Sequence, residues 1–207
     1  MGRAREGPMI IQPDSETLLA VILGAALATA GGFSERQLER LIQRREKERG
    51  AALMFGEILN AIRIIMSLAD EARGRGDPYG PITLRFIRGA RREVEIYDRT
   101  RETLLDLRDP NIRARTSVLI ARLSFSFDGI LDAHAEIVAA EQNLRTLPAN
   151  DPSRAEVESH LAACKETRKT AFDFALEASG AITPLLEQLA PLAKHNFGIA
   201  EAVARQI

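Results

Sequence analysis

Three histidines, one cysteine and two tyrosines are the side chains here best suited to acid–base, nucleophilic or metal chemistry. His134 stands in Asp-Ala-His-Ala-Glu, which is no metal signature. His160 follows Glu156 by four positions, so the two share a helix face, but one such pair does not make a site. Di-iron bundles place a Glu three residues before a His. Here the residues three before His134, His160 and His195 are Leu131, Val157 and Leu192. There is no His-Glu-x-x-His, no phosphate-binding loop and no calcium loop. Cys164 falls on an apolar helical seam, where a thiol is expected to be buried and inert. Arg75-Gly76-Asp77 matches an adhesion tripeptide only by chance, and Glu6 stands where N-myristoylation prefers Ser or Thr. The expectation is a non-enzyme with no catalytic residue, no metal and no cofactor.

The residues around these side chains repeat with a helical period. Ile112, Thr116, Leu119, Leu123, Ser126, Ile130, Ala133, Ile137, Ala140, Leu144 and Leu147 alternate steps of four and three. Val157, Leu161, Cys164, Arg168, Ala171, Ala175, Ala178, Ile182, Leu185, Leu189 and Leu192 do the same. That is a heptad seam. An earlier seam runs Leu38, Leu41, Arg45, Glu48, Ala52, Phe55, Leu59, Ile62, Met66, Ala69. A weaker one runs Ile87, Ala90, Val94, Tyr97, Arg101, Leu104. Asp109-Pro110 and Asp151-Pro152 each supply an N-cap followed by a residue suited to the first turn. Asp77-Pro78 lies in a Gly- and Pro-rich break. Helices are predicted over 35–73, 82–108, 110–147 and 152–192, with a short one over 198–206. Pro184 and Pro191 should kink or end the fourth. Phe125 and Phe127 straddle Ser126, and Phe172 and Phe174 straddle Asp173. The off-seam member of each pair is expected to cover a neighbouring helix, or else to form a patch for a partner.

Ahead of these helices lies Thr17–Ser34, a run of 18 residues without a charge. At 1.5 Å per residue it covers about 27 Å, close to the ~30 Å hydrocarbon core of a bilayer. Asp14 and Glu16 abut it, which does not suit the basic start of a signal peptide, although Ala28-Thr29-Ala30 resembles a cleavage site. Burial inside a soluble bundle is the other competing reading. Arg36, Arg40, Arg44, Arg45, Lys47 and Arg49 follow the run, while Arg3 and Arg5 precede it. A spanning helix with those flanks has its C-terminal side in the cytoplasm. Ala20, Gly24, Ala28 and Gly32 recur every four residues and form a small-residue face for packing two such helices.

An up-down-up-down bundle on this anchor brings one end back to the bilayer. Arg44, Arg45, Lys47, Arg108, Arg113 and Arg115 are then the expected lipid-headgroup contacts, with Lys194 and His195 at the same level. Arg45, Glu48 and Arg101 fall on seams and predict a polar layer near that end. Net charge is −1, which gives the whole chain no strong attraction for nucleic acid. The lone cysteine excludes an internal disulfide and fits a reducing compartment.

The charge-free run, the basic stretch Ser34–Leu59 and Glu95-Ile-Tyr-Asp-Arg-Thr-Arg-Glu-Thr-Leu-Leu-Asp-Leu107 resemble, in layout, uncharacterised bacterial single-span proteins. Those have an N-terminal anchor and a helical cytoplasmic body, and the resemblance implies no activity. The sequence thus predicts an all-α protein: a tail over 1–16, a transmembrane helix over 17–34, an antiparallel four-helix, coiled-coil-like bundle over 35–195 and a tail or short helix over 196–207. The expected role is a membrane-anchored interaction or scaffolding module of a bacterial inner membrane. Its expected partners are the lipid bilayer, a second copy through the transmembrane helix, and another protein. The alternative is a soluble or secreted four-helix sensor or ligand-binding domain.

Overall fold

The computed structural model describes the backbone of residues 15–76, 78–148 and 150–198; inside the first helix, side chains are described at Leu23, Gly24 and from Gln37 onward. Among the described residues every element is helical: α1 Ser15–Gly74, α2 Pro81–Thr100 with a 3-10 turn Arg101–Asp106, α3 Pro110–Thr146, α4 Arg154–Gly180 and α5 Ile182–Ala193. The chain divides into two compact units, Met1–Arg45 and Glu46–Ile207.

In the first unit the backbone is helical from Ser15 onward, through the charge-free run. Leu23 and Gly24 are exposed, as are Leu38, Leu41 and Ile42. The predicted seam therefore fails at Leu38 and Leu41. Their spacing is correct, but apolar spacing buries a residue only where another helix lies alongside.

In the second unit the same seam is buried from Ala52 through Phe55, Leu59, Ile62, Met66 and Ala69. Ile87, Ala90, Val94, Tyr97 and Leu104 of the second seam join them in one core, with Ile112 to Ile130 of α3 and Phe172 to Leu189 of α4 and α5. Among the described residues, Gln37–Gly74 is long and apolar enough to cross a membrane, by length and composition alone. Half of its most apolar window is buried in protein, against the core of the second unit.

Side-chain pairs link the helices of this unit. Arg122, His134, Glu136 and Glu141 of α3 meet Glu177, Arg168, His160 and Lys165 of α4. Arg91 and Tyr97 of α2 meet Asp128 and Ser117 of α3. Arg49 and Arg73 of α1 reach the Ala193 carbonyl and Asp173.

The ends follow local chemistry. Asp109 caps α3 by accepting from Asn111 N–H at 2.8 Å, with Pro110 in the first turn. Asp151 instead accepts from Ser153, and α4 opens at Arg154. Asp77 lies outside the described residues. The second helix does not run regularly to 108, because it tightens to 3-10 after Thr100. At three residues per turn Leu104 and Leu107 stack on one side, and both are buried. The fourth predicted helix is interrupted at Ala181 rather than at a proline. Pro184 has no N–H for the Gly180 carbonyl four residues back, so the break falls one turn upstream. Seam positions Thr116 and Ser126 are buried because each hydroxyl donates to the carbonyl four residues earlier, both at 2.8 Å.

Two close contacts position the far end of the second unit. Phe197 sits against Gly56, where an added Cβ would lie 2.0 Å from the ring. Asn60 donates to the Phe197 carbonyl at 2.9 Å. At the opposite end Arg168 lies over Tyr79 and Arg73 over Phe172, 3.9 and 4.6 Å from the ring centroids. Burial raises the Tyr79 pKa against the pull of these two cations.

Candidate functional site

The small-residue face can be placed only in part. Gly24 is exposed with nothing within 4 Å of where a Cβ would stand, while the burial of Ala20, Ala28 and Gly32 is not described. The basic residues divide by role. Arg44, Arg45, Lys47 and Arg115 are exposed. Arg113 turns back to donate to the Leu107 and Arg108 carbonyls at 2.5 and 3.1 Å, closing the turn into α3. Arg108 pairs with Glu48 at 3.4 Å, and its own N–H donates to the same carboxylate. Two of the six predicted headgroup contacts are therefore committed within the fold.

The expected polar layer of Arg45, Glu48 and Arg101 does not form as drawn. Arg45 and Arg101 are exposed, and Glu48 takes Arg108. A long guanidinium at the edge of a core reaches water at less cost than it pairs inside. The polar seam residue that is used is Arg168, which bonds His134 Nδ1 at 3.1 Å and covers Tyr79.

The Phe pairs separate cleanly. Phe127 and Phe172 are fully buried, whereas Phe125 and Phe174 are 79% and 54% exposed. The off-seam rings do not cover a neighbouring helix. Val118, also exposed, precedes Phe125 by seven residues on α3 and so shares its face. Beside them a groove of about 440 Å³ is lined by Ala114, Val118 and Leu119 from α3 and by Ala181, Pro184 and Leu185 across from them. Arg115, Arg122 and Gln188 supply its polar rim.

A second constellation lies on the α3–α4 pair, toward the loop that joins them. Cys164 and His160, four apart on α4, face Glu136 of α3. Cys164 Sγ is 3.1 Å from Glu136 Oε2 and 3.5 Å from His160 Nε2. His160 Nε2 is 3.7 Å from Glu136 Oε2. The thiol is buried, while the other two side chains are more than half exposed. The hydrogen bond to Glu136, then burial and the carboxylate charge, push the thiol pKa above its usual value. A raised pKa disfavours the thiolate, and Cys164 is buried at its seam position as expected. Glu156, the expected companion of His160, lines the adjoining groove with Glu136 and Asn143. The sequence held a signal for this cluster: His160 and Cys164 are one turn apart, and the α3–α4 register brings Glu136 opposite them.

Comparison of the chain with protein-family models, with curated proteins and with solved structures finds no match.

Proposed function

We propose that this chain is a membrane-anchored, non-catalytic interaction module. In this reading an antiparallel helical bundle is carried on an anchor at Thr17–Ser34, with the body cytoplasmic, and docks a protein partner through one apolar face. The observation that carries the interaction is the exposure of Val118 and Phe125 on one face of α3, with Val118 lining the α3–α5 groove, and of Phe174 on α4. Large apolar side chains left exposed next to a core that is already filled suit a contact with another protein. Support for the antiparallel order comes from Arg122–Glu177, His134–Arg168 and Glu136–His160, whose numbers fall on α4 as they rise on α3. Support for the anchor is the charge-free run and the exposed basic residues that follow it. Arg44, Arg45, Lys47 and Arg115 are the residues available to headgroups in this reading.

A photo-crosslinking residue at position 125 in the full chain tests the interaction in cells. A discrete adduct that disappears with Val118→Ser and Phe174→Ser supports the module, and no adduct above that double variant refutes it. Retention of the full chain in membranes through an alkaline wash tests the anchor, and release into the supernatant refutes it. Self-association weakened by Gly24→Ile supports pairing through the small-residue face. The second reading, a small-ligand or sensor domain, is favoured by the size of the groove, since about 440 Å³ lies within the range of small-molecule sites.

A further inference from the structure

We propose that Glu136, His160 and Cys164 form a binding site for a divalent transition-metal ion of the Zn²⁺ class. The three donor atoms Oε2, Nε2 and Sγ all lie within 4.8 Å of one another. A tetrahedral Zn²⁺ with Zn–S of ~2.3 Å and Zn–N and Zn–O of ~2.0–2.1 Å needs S···N and S···O near 3.6 Å and N···O near 3.4 Å. The observed separations are 3.5, 3.1 and 3.7 Å. An ion therefore fits with donor shifts of about half an ångström. Glu136 and His160 are the exposed members and can make them.

The donor set selects the ion. A thiolate, an imidazole and a carboxylate together suit Zn²⁺ rather than Mg²⁺ or Ca²⁺, which take oxygen donors. One thiolate and one carboxylate also balance the two positive charges. Binding displaces the thiol proton to solvent and leaves the imidazole neutral, with no change of oxidation state. Three protein donors leave a fourth position for a water or another ligand, and a groove of about 370 Å³ lined in part by Glu136, Asn143 and His160 adjoins the site.

The frame is stiff where it matters. All three donors sit on long helices rather than loops. Cross-helix pairs adjoin them, Glu141 with Lys165 at 3.6 Å and His134 with Arg168 at 3.1 Å. The ion would staple α3 to α4 close to their connecting loop, where Leu144, Val157 and Leu161 are only half-buried.

The test uses the full chain without a polyhistidine tag, stripped with a chelator and titrated with Co²⁺. The expected result is one equivalent per chain, a thiolate-to-cobalt band in the near ultraviolet, intense tetrahedral bands in the visible, and displacement by Zn²⁺. Cys164→Ser should remove the thiolate band. Glu136→Gln and His160→Gln should each weaken binding by at least the ~10–100-fold typical of losing a supporting partner. Both alter exposed side chains, so they carry the test if Cys164→Ser misfolds. A wild-type spectrum without the thiolate band, or Glu136→Gln and His160→Gln that titrate like wild type, would overturn the site.

Discussion

Gly56→Ala should destabilise the protein, although the same change in an ordinary helix interior stabilises it. Replacing a helical Gly by Ala is worth ~1 kcal/mol in propensity. Here the new methyl would stand 2.0, 2.4 and 2.7 Å from three carbons of the Phe197 ring, against a comfortable ~3.5–4.0 Å. The ring has to leave. Phe197 is only 5% exposed, and returning a buried Phe to water costs roughly 2–3 kcal/mol. The Asn60 bond to the Phe197 carbonyl goes with it, for about another 1 kcal/mol. The net loss is therefore about 2–3 kcal/mol after the propensity gain. For a chain of this size that lowers Tm by very roughly 4–12 °C. Urea denaturation of wild type, Gly56→Ala, Phe197→Ala and the double variant closes the cycle. Once Phe197 is absent, Gly56→Ala should stabilise by ~1 kcal/mol, so its sign reverses. If Gly56→Ala has the same effect in both backgrounds, the docking of Phe197 against Gly56 is wrong.

Other substitutions separate the remaining arguments. Phe127→Ala empties a fully buried site and should cost about 3–5 kcal/mol in chemical denaturation, whereas Phe125→Ala should fall within ~0.5 kcal/mol. Lys194 holds φ 51° at the end of α5, so Lys194→Gly should raise stability by up to ~1 kcal/mol; a loss would argue against the left-handed cap. Hydrogen bonds from the Ser153 hydroxyl and N–H hold the Asp151 pKa below its usual value. A depressed carboxyl stabilises the fold above the unfolded pKa, ~3.9, and loses that effect as pH falls through the folded value. The Tm deficit of Asp151→Ala should accordingly shrink from pH 7 to pH 2.5, and a deficit that is constant with pH would exclude this carboxylate as its source.

Periodicity by itself determined which faces could be buried. From Ala52 to Ala69, Ile87 to Tyr97 and Ile112 to Ala140 the seam read from spacing is the seam that is buried, because an α-helix has one repeat and apolar side chains follow it. Local chemistry determined the Asp109 cap and the effect of Pro184 for the same reason: each acts within a turn. Burial at Leu38 and Leu41, the role of Arg113 and the fate of the paired phenylalanines were beyond its reach. Those depend on whether another helix lies alongside, on which carbonyls a turn leaves open and on which of two faces meets solvent. The Glu136–His160–Cys164 cluster is the clearest case. Half of it, His160 and Cys164 one turn apart, is written along α4. Glu136 is 24 residues away from His160, and only the register of α3 against α4 brings its carboxylate to 3.1 Å from the thiol. Helical repeats are local and can be read in order. The convergence of donors from two helices is set by how their side chains interlock, and the tertiary structure alone decides it.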